Sequence, residues 1–466
     1  MLDKELMEKV LKKALEYGGD FAEIFFEDKR TNNIVAEGGV IEKVKSGFDM
    51  GVGIRVIYGE KVSYAFTDDL SPKELMEAAR SAAAAAKGSG KDVIVIDLTR
   101  KSVPNLHPVK IEPTGYNKNA KVEIIMKADE AARVSDLIKQ VTISFMDQFR
   151  KIMIANSEGL WVEDEQVFIR FTVSTVAQRG DLIQTGSVSK GKAMGIELFD
   201  LYDPEILART AGEQAITMLN ARPAPSGKMD VIINNGFGGV LFHEACGHGL
   251  EADAIVKGSS VFAGKVGQKV ASSIVTAIDD PTIPNEWGSY NIDDEGTPAQ
   301  RTVLIENGIL REYMWDRVNA KKAGRLRSTG NGRRMSYRHL PIPRMTNTFI
   351  ANGESKYEEL FKNVQRGLFA KALGGGQVNT STGDFVFAVR EGYLIENGQI
   401  TEPVRGATLV GNGPEVLHKI EMIADNLDFE PGMCGKQFQS VNAAVGQPTL
   451  LISDITVGGT ERKGEK

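Results

Sequence analysis

Residues 243–248 read His-Glu-Ala-Cys-Gly-His, and the spacing of the two histidines limits what this stretch can become. An α-helix turns about 100° per residue, so positions four apart differ by only about 40°, and positions five apart by about 140°. His243 and His248 are five apart. They share one focus only if the helix between them is widened or broken. A π-bulge absorbs one extra residue and recurs at functional sites, and Gly247 sits where distortion costs least. The spacing predicts a distorted helix across 243–248.

The residue types supply a reason for a shared focus. Neutral imidazoles are zinc ligands. Glu244, directly after the first of them, is placed to act as general base toward water that the metal activates. The familiar hydrolytic pattern, H-E-x-x-H, is one residue shorter. A hydrolytic zinc site uses three protein ligands and leaves a fourth position open. Within the segment the remaining candidates are Cys246, Glu251 and Asp253. Cys246, wedged between the imidazoles, reads as a small buried residue. Glu251 follows His248 by one turn and is a candidate ligand. Cys434 is a distant one, in Pro431-Gly432-Met433-Cys434-Gly435-Lys436. Its glycines permit close backbone approach, and Lys436 favours a thiolate. Arg334, Tyr337 and His339, from one polar and glycine-containing stretch, are candidates for steadying an oxyanion. His107 and His418 offer little.

Around this segment the chain alternates short helical and β patterns. Residues 3–17 predict an amphipathic helix capped by Asp3. Two hairpins follow, the second with Ile54–Tyr58 and Val62–Phe66 around Gly59-Glu60. Ser71-Pro72 opens a helix that runs through the alanines 82–86 to Gly88. A helix is expected over 120–134, then strands over 141–145, 151–155 and 167–176, and a helix over 203–220. Arg222-Pro223-Ala224-Pro225-Ser226-Gly227 is the best linker candidate. After it come a short strand, Val231–Ile233, and the helix from Phe237 that bears His243. Leu-Ile-Glu-Asn-Gly occurs at 304–308 and again at 394–398, each time between apolar runs, and Asn-Gly predicts a tight hairpin. The expectation is an α+β, β-rich, multi-domain chain with helices packed on sheets. The regions are an N-terminal α+β domain (1–90), a middle α+β domain (91–220) and a C-terminal β-rich domain (228–466) carrying the metal site.

Composition bounds the setting. The 466 residues are 42% hydrophobic and 25% charged, which is ordinary for a soluble protein. A net charge of −6 argues against a nucleic-acid surface over the whole molecule. No run reaches the roughly 18 apolar residues that cross a bilayer, and the start lacks a signal peptide's apolar core. Two cysteines cannot build a disulfide framework. The expectation is a cytoplasmic protein with neither a nucleic-acid nor a membrane partner.

Several ordered motifs resemble the TldD/PmbA (TldE) zinc metallopeptidase family. They are His-Glu-Ala-Cys-Gly-His-Gly-Leu-Glu-Ala-Asp at 243–253, Ile-Asp-Asp-Glu-Gly-Thr-Pro at 292–298 and Gly-Asn-Gly-Arg-Arg at 330–334. Pro-Arg-Met-Thr-Asn at 343–347, Gly-Gly-Gly-Gln at 374–377, Met-Cys-Gly-Lys at 433–436 and Gly-Val-Gly-Ile-Arg at 51–55 complete the set. The related TldE subunit lacks the histidine motif, which puts this chain on the TldD side of the resemblance. The resemblance implies zinc held by His243, His248 and Cys434, with Glu244 as the base. It implies hydrolysis of peptide bonds in unfolded or flexible peptides, and a TldE/PmbA-like partner subunit or a homodimer. The alternative class is a non-enzymatic regulatory binding protein with a structural metal, which a fourth protein ligand such as Glu251 or Asp253 would favour.

Overall fold

The computed structural model describes residues 2–84, 95–379 and 381–461. Asp3 accepts a hydrogen bond from the Leu6 amide at 2.8 Å and caps the helix Lys4–Ala14. Met7, Val10, Leu11 and Ala14 form its buried stripe. Two long antiparallel strands follow, Phe21–Glu37 and Val40–Tyr58. The second turns at Gly59-Glu60 into Lys61–Thr67, with Tyr58 opposite Lys61. The helix Pro72–Ala84 starts at its expected proline. The expected continuation through Ala86 to Gly88, and the expected boundary at residues 90 and 91, lie outside the described residues.

The segments expected as separate strands at 141–145 and 151–155 are one strand, Ile138–Asn156. It pairs on one side with Leu160–Arg179 and on the other with Phe21–Glu37, from Glu23 opposite Asn156 to Glu37 opposite Thr142. Strands from both sides of residue 90 thus share one seven-stranded sheet. Side chains alternate across such a sheet, and its two faces differ in kind. Ile24, Phe26, Val52, Ile54 and Val56 lie against the first two helices. Phe145, Phe171 and Val173 lie against the helices Lys118–Ala132 and Pro204–Asn220. The opposite face presents buried Glu23, Glu27, Arg55 and Arg150 to the C-terminal region.

The C-terminal region is β-rich, with an eight-stranded and a six-stranded sheet around one large apolar core. Both Asn-Gly hairpins form. Asn307 and Gly308 have φ of 50° and 79°, and Asn397 and Gly398 have 51° and 78°. Positive φ at both central residues is the turn that matches the twist of the flanking strands. The expected linker is docked rather than free. Arg222 and Pro223 pair with Val404 and Arg405, and Ala224 is fully buried.

Ion pairs join the regions. Arg55 bridges Glu23 and Glu295 at 2.6 Å each. Arg334 reaches Glu23 at 2.6 Å. Arg150 pairs with Glu27 at 2.6 Å and with Asp294 at 2.9 Å. Asp316, buried beside this network, has no cation of its own among the described residues and caps the helix Arg317–Lys322. Burial and the Glu295 carboxylate push its carboxyl up to about 7. An unfolded aspartate titrates near about 3.9. Between those values the folded chain holds a proton that the unfolded chain has lost, so stability falls as pH rises through this window and stays lower above it. Asp316→Asn keeps the cap acceptor and removes the ionisation. The expected thermal melts show a gain in stability at pH 8 that shrinks toward pH 4. An equal gain at both values would mean that Asp316 takes up no proton on folding.

Candidate metal centre

The segment carrying the histidines leaves the strand Gly227–Ile233, makes a 3₁₀ turn over Gly236–Gly239, and enters the helix Val240–Ala245. It presses on the strand Gln439–Gln447. A Cβ at residue 239 would stand 2.6 Å from the backbone of Gly446, so only glycine allows this approach. The neighbouring strand, Asp428–Lys436, pairs antiparallel with that one and places Cys434 opposite Val441. A sequence separation of 186 residues is closed in this way.

The predicted distortion is a break and not a bulge. The helix ends at Ala245, Cys246 takes φ −130° and ψ −44°, and a 3₁₀ turn, Gly247–Leu250, follows. The break turns the two rings together, with centroids 5.3 Å apart and planes at 86°. Gly247 is closely packed: a Cβ there would lie 2.3 Å from the sulfur of fully buried Met345, which would have to shift. Cys246 is a packed thiol in the apolar core, and burial pushes its titration up.

His243, His248 and Cys434 converge, with one ligand atom from each inside a 4.8 Å span. Sγ of Cys434 lies 3.7 Å from Nε2 of His248. Tetrahedral zinc, with Zn–S of about 2.3 Å and Zn–N of about 2.0–2.1 Å, sets these atoms about 3.6 Å apart. Nδ1 of His243 is buried without a hydrogen-bond partner among the described residues. Two imidazoles and a thiol at this separation fit a zinc ion. Burial pushes the Cys434 thiol up, but the adjacent His243 and His248 outweigh it and hold the thiol well below the usual range. Lys436, expected to favour the thiolate, instead pairs with Glu251 at 2.9 Å and Asp253 at 2.5 Å.

Glu251 occupies the other side of His248. Its Oε2 lies 2.8 Å from Nδ1, the ring nitrogen opposite the one facing Cys434. The carboxylate read from the sequence as a candidate ligand is therefore an outer partner that orients the ring. Burial pushes Glu251 up, yet Lys436 and His248 hold it well below the usual carboxylate range. Asp253 is engaged by Lys436 and by Gln437. Glu244 has Oε2 3.9 Å from Nε2 of His248 and a side chain 37% exposed. With His248, Ser381 and Lys436 it lines a cavity of about 350 Å³.

The oxyanion candidates lie elsewhere. Arg334 is buried against Glu23 and the Asp294 carbonyl, the Tyr337 hydroxyl donates to Asp49 at 3.2 Å, and His339 pairs locally with Ser336. Arg344, not singled out from the sequence, donates to the backbone carbonyl of Cys434. A signal for Lys436 was present: residues two apart on a strand share a face, which puts Lys436 on the side of Cys434.

Comparison with known proteins shows the family. Residues 22–86 match the PmbA/TldA metallopeptidase domain 1, residues 111–219 its central domain and residues 226–459 its C-terminal domain. A metalloprotease TldD homolog of Haemophilus influenzae is 40% identical, over 95% of this chain and 93% of that protein. The chain belongs to the TldD/PmbA metallopeptidase family. A zinc metalloprotease TldD homolog of Saccharolobus solfataricus is 30% identical over 97% of this chain and 100% of its own. The fold is shared with TldE from Thermococcus kodakarensis, with a TM-score of 0.78 at 23% identity, covering 97% of this chain and 100% of that one. Among the described residues no helix is long and apolar enough to cross a membrane.

The packing of Gly247 is testable without metal. Gly247→Ala is expected to cost about 1–3 kcal/mol through overpacking. Combined with Met345→Ala, the loss should fall short of the two single losses summed. Strictly additive losses in urea melts would place the strain elsewhere.

Proposed function

We propose that this chain is a zinc-dependent peptidase that cleaves unfolded or flexible peptides, with zinc held by His243, His248 and Cys434. The observation that carries this reading is the convergence of those three donors beside a cavity into which Glu244 opens. Zinc, when bound, supplies a Lewis acid that polarises a carbonyl and acidifies water. Glu244 takes the proton of the attacking water and hands it to the leaving nitrogen. Glu251 holds His248 through Nδ1 and keeps Nε2 directed at the shared focus. Arg344 fixes the backbone at Cys434. The cavity, about 350 Å³, has room for a short stretch of extended chain. The family, together with the likeness to TldE, supports pairing with a TldE/PmbA-like subunit, a second copy being the other option. The soluble composition supports a cytoplasmic location.

A purely structural metal would call for a fourth protein ligand. The two carboxylates that the sequence offers as a fourth ligand, Glu251 and Asp253, are engaged by His248, Lys436 and Gln437. Their engagement favours the catalytic reading over a regulatory binding protein.

Two measurements test the proposal. Metal-replete chain is expected to hold about one zinc, and Cys434→Ala much less. Equal contents by atomic emission would leave Cys434 a packed thiol. Glu244→Gln is expected to keep its zinc while cleavage of an unfolded polypeptide falls by about 10²–10⁴-fold. Full activity in that variant would remove Glu244 as the base.

A further inference from the structure

A second cavity, of about 360 Å³, lies where the central strands meet the C-terminal region and includes none of the metal-cluster residues. Arg170 enters it from the strand Leu160–Arg179, and Arg390 from the strand Asp384–Glu396. Both are partly buried. Nε of Arg170 donates to the Ser189 hydroxyl at 2.9 Å, and Nη1 of Arg390 donates to the Ser187 carbonyl at 3.3 Å. Among the described residues, neither guanidinium has a carboxylate oxygen within 4.0 Å.

Other buried arginines are of two kinds. Two of them, Arg333 and Arg344, donate to backbone carbonyls without facing this cavity. Arg55, Arg150 and Arg334 are all buried against carboxylates at 2.6–2.9 Å. The carboxylates near the second cavity are taken by lysines. Lys190 lies 3.0 Å from Glu430 and 3.7 Å from Asp428, and Lys371 lies 2.8 Å from Glu391. Burial pushes both guanidiniums down, with only Glu430 acting against it from a distance. A desolvated cation without a counterion is unfavourable, and the planar guanidinium fork matches a carboxylate two-on-two. Phe237 and Gly238, just upstream of His243, form part of the wall.

We propose that this cavity binds a carboxylate through Arg170 and Arg390, so that the ligand ties the central strands to the C-terminal region. The carboxylate belongs either to an acidic residue of a polypeptide or to a free small dicarboxylate. The site requires no metal and stands apart from the peptidase reading.

The test is titration calorimetry on the full chain with glutarate and with two short peptides that differ only in one Glu or Gln. Glutarate or the Glu peptide is expected to bind, at least tenfold more weakly in Arg170→Gln/Arg390→Gln. Tighter binding of the Glu peptide than of glutarate assigns the polypeptide source, and the reverse order assigns the free dicarboxylate. If the double variant fails to fold, Arg170→Lys and Arg390→Lys keep the charge and lose the fork, and each is expected to weaken binding severalfold. Equal affinity for the two peptides together with no glutarate binding would overturn the proposal. So would unchanged affinity in the variants.

Discussion

The backbone of Gly239 rests on that of Gly446, and the convergence of His243, His248 and Cys434 depends on that contact. The helix bearing His243 begins one residue later. The strand it rests on is hydrogen-bonded to the strand bearing Cys434. Any side chain at 239 would wedge the helix away from the sheet and carry one imidazole from the thiol. A site loosened by about 1 Å loses its function. The break at Cys246 then solves the remaining problem, because it swings His248 back toward the ring that a regular helix would have left behind. One close contact and one break thus do what a four-residue spacing does in an unbroken helix.

The other family-like motifs act behind this centre. Asp293 accepts from the amides of Glu295, Thr297 and Gly332 at 2.8–3.0 Å. Asp294 holds the Arg334 amide at 2.8 Å, and Glu295 pairs with Arg55. Thr346 reaches Asp279, while Arg344 holds the Cys434 carbonyl. These residues fix the loops under the cluster and clamp them onto the first sheet. Buried ion pairs add little net stability over apolar packing, but losing one partner leaves an uncompensated charge that costs about 3–5 kcal/mol. Such a network ties the loops under the His243, His248 and Cys434 cluster to the first sheet.

Local signals were legible in the sequence, and long-range ones were not. Asp3, Pro72 and the Asn-Gly pairs specify a cap, a helix start and two turns through their own backbone preferences, and each is found where expected. The helix distortion was legible because it follows from angular arithmetic. The strand Ile138–Asn156 was read as two, since polar residues such as Asp147 and Gln148 interrupt the apolar pattern. In the fold, Asp147 is buried against Lys121, a pairing that no local pattern announces. The linker looked free because prolines and a glycine flank it, yet Ala224 is buried under strand pairing from residues far along the chain. Arg334 and Tyr337 looked like site residues because their stretch is polar, basic and aromatic. Their partners, Glu23 and Asp49, come from a sheet near the start of the chain.

Lys436 shows how charge is sorted around the cluster. Three carboxylates, Glu244, Glu251 and Asp253, lie in residues 243–253 and line the same cavity. Lys436 reaches Glu251 and Asp253 together, and Glu251 is also held on the far nitrogen of His248. Two of the three carboxylates are thereby held in place. Glu244, which follows His243 directly, lines the cavity with a side chain 37% exposed and is left free of both contacts. A base that must receive a proton and release it needs that freedom, and a ligand does not. The lysine expected to favour the Cys434 thiolate thus holds two of the carboxylates beside the cluster.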